Sequence, residues 1–260
     1  MDIAAQPPFP SQPPDAPEIA GRRIDWTGRD VLFGILWFIG SFAVLPISVI
    51  APLALFYDTH DFVFQIVEIL IAVPLYALIV SVAVAKTFKR YGGGWERLGV
   101  SRPRLAHIWW ALGALVGALT VSLVYGSFVQ YFDIGFLSQD CGDQIPREFR
   151  DNATLLALAA LAAVLFAPIA EELFFRGFVF TGIARSFGIP AGIVGSGFLF
   201  GAAHLVGNPV LYKSLIQFWA IGMIFAFAYW KSQNILATIA AHFTFNLLGI
   251  ILIASTTCQK

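Results

Sequence analysis

An all-α polytopic membrane bundle of about seven transmembrane helices is the fold class this sequence predicts, and three observations predict it. The first is composition. Of 260 residues, 58% are hydrophobic and only 12% charged, and mean hydropathy is +0.77. A soluble domain carries roughly 45–50% apolar and about 25% charged residues. So little charge cannot coat a globule of this size, which excludes a soluble enzyme, a nucleic-acid binder and a disordered chain. The second is continuity. The apolar residues come in long unbroken runs, not in the alternation of a membrane β-barrel. The third is spacing. Each run is long enough for a span, which takes about 20 residues.

The elements follow in order. Residues 1–25 hold six of the fourteen prolines, from Pro7 to Pro17. They lack the basic and apolar regions of a signal peptide, and read as a solvated, disordered or polyproline-type cytoplasmic tail. Spans are predicted at roughly 30–56, 62–86, 106–131, 154–184, 190–207, 212–230 and 234–254. One of the last three could be re-entrant. Residues 26–150 therefore hold three spans and a basic loop at 86–105, and residues 151–260 hold a second, chemistry-bearing core. Twelve Lys and Arg fall on one side and four on the other, which places the amino terminus in the cytoplasm of a plasma (inner) membrane. Net charge is zero and names no partner. Cys141 and Cys258 have no metal spacing.

Charge inside a membrane helix costs several kcal/mol, so each instance asks for a reason. The instances are Glu68, Glu171, Glu172, Arg176, His204 and His242. Glu172 and Arg176 are four apart with the acid first, the favourable order for an ion pair on one helix face. Glu171 lies about 100° round from Glu172 and is expected not to share that geometry, which leaves one paired and one available carboxylate. Phe200 and His204 share a face, and Gly201, Ala202 and Ala203 admit another backbone closely. His242 and Asn246 share a face in the last span. Counted from the span ends, Glu171 and His204 lie ~20 Å deep, and His242 and Asn246 ~12 and ~18 Å. Three helices thus bring a carboxylate, two imidazoles and an amide to similar depths.

That set suggests hydrolysis. A poorly solvated carboxylate is a competent general base. His204 can help hold the attacking water, and His242 and Asn246 can donate to a developing oxyanion. The substrate is then a membrane peptide or protein, met within the lipid bilayer. Glu171, His204 and His242 also make a possible zinc set with an open water position. Gly195-Ser196-Gly197 is packing material, not a nucleophile elbow. A non-catalytic binding or immunity-type protein, or a transporter with Glu171 as proton site, uses the same residues otherwise.

The ordered motifs Glu171-Glu172-x-x-x-Arg176, Phe200-x-x-x-His204 and His242-x-x-x-Asn246 resemble the three signatures of the CPBP intramembrane proteases, a family that includes the type II CaaX prenyl endopeptidases and bacteriocin-processing or immunity-like proteins. The likeness covers about residues 151–254. Trp95-Glu96-Arg97-Leu98-Gly99 also looks like a loop ahead of the family core. The resemblance implies a conical intramembrane cavity, water activation by Glu171 and His204, an oxyanion site at His242 and Asn246, and support from Glu172, Arg176 and Phe200. Family members have been described both as metalloproteases and as glutamate proteases. The expectation here is no cofactor, with zinc as the alternative.

Overall fold

The structure is a computed structural model, and it describes residues 18–90, 92–138 and 145–255. The proline-rich stretch to Pro17, Cys141, Cys258 and Lys260 lie outside the described residues. Seven helices are long and apolar enough to cross a membrane: α1 (Gly28–Leu53), α2 (Phe62–Lys89), α3 (Leu105–Tyr131), α4 (Ala153–Phe187), α5 (Ile189–Val206), α6 (Val210–Ser232) and α7 (Ile235–Ser255). The chain is an integral membrane protein with an all-α polytopic fold.

Helix starts follow from local chemistry. Asp30 Oδ2 accepts the Thr27 N–H at 3.1 Å ahead of α1. Asn152 Oδ1 accepts the Thr154 and Leu155 N–H groups at 3.0 and 3.2 Å, starting α4. Asn234 Oδ1 accepts the Leu236 N–H at 2.8 Å, starting α7. Each bond satisfies a donor that the first helical turn leaves without a partner. The connection from α4 to α5 is a single residue, Gly188, at φ +88°, followed by Pro190 in the first turn. Only a residue without a side chain turns so sharply at little strain.

Lipid-facing surfaces are apolar, as Leu36, Leu55, Trp109, Leu123 and Leu252 show by being exposed. The core sits around the second half of α4, where every residue from Glu172 to Phe180 is buried. This stretch is not α-helical. Two widened π turns, Ala162–Phe166 and Glu172–Phe180, interrupt α4. Such turns leave backbone carbonyls in need of other donors and recur at functional sites. The Trp26 indole N–H supplies one at Phe178 O, 2.9 Å away.

Residues 18–25, expected to belong to the disordered tail, are structured. Glu18–Ile19 pairs antiparallel with Arg22–Arg23, and Ile19, Ile24, Asp25 and Trp26 are buried. The physical reason is that the prolines end at Pro17 and apolar anchors begin at once. Arg22 Nη2 donates to the Tyr229 hydroxyl at 2.7 Å, Tyr229 donates to Leu98 O at 3.1 Å, and Asp25 pairs with Arg97. The segment thereby ties α4 and α6 to the 95–99 loop. A Cβ on Gly177 would lie 2.8 Å from the Leu98 carbonyl oxygen. Gly177→Ala is therefore expected to destabilise the protein by about 1–3 kcal/mol, read as an earlier thermal unfolding transition in detergent.

Candidate active site

Helices α4, α5, α6 and α7 converge on one imidazole. His242, on α7, is almost wholly buried. Its Nδ1 lies 2.9 Å from Glu172 Oε1, and its Nε2 lies 3.9 Å from Glu171 Oε2. Glu172 in turn pairs with Arg176 Nη1 at 3.0 Å. The ion pair expected from the four-residue spacing is present. Glu171 has no part in that ion pair and makes only the loose contact with Nε2 of the same ring.

Burial separates the roles of the acids. The Glu172 side chain has no exposure, and that of Glu171 has 17%. Glu171 is the more exposed of the two acids, although its Oε2 is buried without a hydrogen-bond partner. A carboxylate only accepts, so the bond to Glu172 places a hydrogen on His242 Nδ1. It leaves Nε2 directed to Glu171 and fixes the ring.

Aromatic rings enclose the charges. The Arg176 guanidinium sits 4.4 Å over the Phe200 ring and 5.3 Å from that of Phe225, and Nη2 donates to Gly222 O at 3.3 Å. Cation–π contact of this kind is strongest in desolvated surroundings. Phe200 also meets His204 and His242 edge to face, at 4.9 and 5.7 Å between centroids. It is the spacer that holds the two histidines apart.

His204 Nδ1 lies 2.8 Å from the Phe200 carbonyl oxygen. A carbonyl also only accepts, so Nδ1 carries the hydrogen and Nε2 presents a lone pair. Asn246 is directed elsewhere than expected. Its Nδ2 donates to Ala163 O at 2.7 Å, within the first π turn of α4, and only its second N–H remains for an oxyanion. Glu68 is exposed on α2.

The zinc reading finds little support in this arrangement. Among the described residues no group of three or more His, Cys, Asp and Glu is arranged to hold a metal ion. His204 and His242 each have Nδ1 bonded within the protein, which leaves Nε2 as the nitrogen each ring can offer to a ligand. Two cavities, of about 410 and 80 Å³, are lined by residues such as Tyr125 and Gln217 in one case and Phe38 and Phe174 in the other. Neither is lined by Glu171, His204, His242 or Asn246, so the expected conical cavity is not one of them.

Sequence reasoning missed the bond from Glu172 to His242 and the contribution of Phe225. No spacing signal links residues 70 apart, and a phenylalanine in an apolar span has no contrast with its neighbours. No curated protein and no solved structure matches the chain. Residues 153–248, which carry every group of this site from Glu171 to Asn246, match the family described as Type II CAAX prenyl endopeptidase Rce1-like.

Proposed function

We propose that the protein is an intramembrane endopeptidase in which Glu171 activates water. The observation that carries this reading is a single imidazole bracketed by a partly exposed and a sealed carboxylate. Glu171, Glu172 and Arg176 together leave one negative charge, and one proton on the Glu171–His242 pair balances it. Burial makes that balance important, because an uncompensated charge in a low-dielectric interior is costly.

The reaction then runs in two steps. Glu171 takes a proton from water as the oxygen attacks the peptide carbonyl, and His204 Nε2 accepts the water's other hydrogen as a hydrogen bond. The tetrahedral oxyanion is stabilised by His242 Nε2–H, with the imidazolium charge held by Glu172, and by the second N–H of Asn246. Glu171 then gives its proton to the leaving amine. Arg176 and Phe200 keep Glu172 and both rings in place. The substrate is a membrane-associated peptide or protein, including CaaX-type lipidated ones. The Lys and Arg asymmetry supports a cytoplasmic amino terminus.

No step here needs a metal ion, so dialysis against a zinc chelator is expected to leave turnover unchanged; loss restored by added zinc would sink this mechanism. The test of the function compares peptides from native membranes carrying wild type or Glu171→Gln at matched protein levels. New termini are expected only with wild type. Identical profiles would favour a binding or immunity-type role.

A further inference from the structure

His204 is held by more than its backbone bond. Its ring stacks on Phe218 of α6, with centroids 4.3 Å apart and planes 27° apart. Phe218 lies in none of the three motifs. The stack depends on close approach of α5 and α6. A Cβ on Gly201, three residues before His204, would lie 2.9 Å from Trp219 N and 3.0 Å from Leu215 O. A Cβ on Gly197 would lie 2.8 Å from Met223 N. The bare glycines let the first turns of α6 rest on α5, backbone to backbone, and this seats Phe218 over the imidazole.

Two constraints therefore act on one ring. The bond from Nδ1 to Phe200 O sets which nitrogen carries hydrogen, but a ring tethered at one atom can still swing about its side-chain torsions. The Phe218 face removes that freedom, since stacked aromatic rings keep contact only over a narrow range of orientation. On the other side, Phe200 closes the space edge to face. Among the described residues Nε2 meets no hydrogen-bond partner and is the ring nitrogen that can meet a water.

We propose that Phe218 is the positioning residue of His204, holding the imidazole plane so that the Nε2 lone pair faces the water that Glu171 activates. This deepens the peptidase reading and rests on it for its catalytic consequence. The orientation itself does not depend on that reading.

The test uses the full chain in detergent with ¹⁵N-labelled histidine, His204 being assigned by its loss in His204→Gln. Wild type and Phe218→Tyr are expected to show one tautomer at His204, with hydrogen on Nδ1. Phe218→Leu keeps apolar bulk without a flat face, and is expected to show exchange between both tautomers. On a membrane peptide that wild type cleaves and Glu171→Gln does not, Phe218→Leu should lower kcat by about tenfold or more with KM unchanged, and Phe218→Tyr should restore it. Gly201→Ala should loosen the same ring independently by lifting α6. A single Nδ1–H tautomer with wild-type kcat in Phe218→Leu would overturn the proposal. Tautomer exchange in Phe218→Leu, with no peptide cleaved even by wild type, would keep the positioning role and remove the peptidase reading.

Discussion

Glu171→Gln is expected to reduce turnover by at least ~10²-fold, the scale of a lost general base, while the unfolding transition stays near that of wild type. The two halves of this expectation come from different facts. Glutamine keeps the size and one acceptor oxygen of glutamate but cannot take a proton. At the same time Glu171 has no hydrogen-bond partner at its buried Oε2 and only a loose contact with His242 at 3.9 Å. Little packing or bonding is lost when its charge goes. The cluster keeps its balance, since Glu172 and Arg176 neutralise each other without it. Turnover measured on a membrane peptide, together with thermal unfolding of the same preparations, checks both halves. Wild-type turnover in the variant would remove Glu171 from the mechanism.

How much of this was legible in the sequence depends on what the sequence makes contrast with what. Hydropathy contrasts spans with loops. The expected spans 106–131 and 234–254 therefore stand one residue from the observed Leu105–Tyr131 and Ile235–Ser255. Charge contrasts sharply with an apolar span, so Glu171, Glu172, Arg176 and His242 stood out, and the structure brings those four together. His204 stood out equally, and it joins them through Phe200, whose ring it meets at 4.9 Å. Helix period leaves no such mark. The same residues satisfy an α or a π turn, so the widening at Glu172 and the shared histidine could not be read. Asn246 shows the limit of a shared face. Its spacing from His242 placed it on the right side of α7, but the carbonyl that claims it, Ala163, belongs to a helix eighty-three residues earlier in the chain. Phe218 was silent for a different reason. Its role is geometric, and its residue type is ordinary for its surroundings.

Glu172→Gln should fail in the opposite way, by losing stability before chemistry. The acid is fully buried, and two groups depend on it: Arg176, 3.0 Å away, and His242 Nδ1, 2.9 Å away. Glutamine can still accept from the imidazole, but it leaves the buried Arg176 guanidinium without its ion-pair partner, beside Gly222 O and two ring faces. Breaking a buried pair by removing one partner costs about 3–5 kcal/mol. The variant should therefore unfold well below wild type, and accumulate poorly in membranes. The double variant Glu172→Gln/Arg176→Met separates this from a catalytic effect. It removes both charges and fills the slot between Phe200 and Phe225 with an unbranched apolar side chain of adaptable shape. Much of the lost stability should return, because deleting a buried pair outright is often close to neutral. Turnover should not return with it, since nothing then balances His242 as an imidazolium while the oxyanion forms. Recovery of turnover along with stability would mean that Glu172 serves only to neutralise Arg176, and that His242 needs no carboxylate behind it.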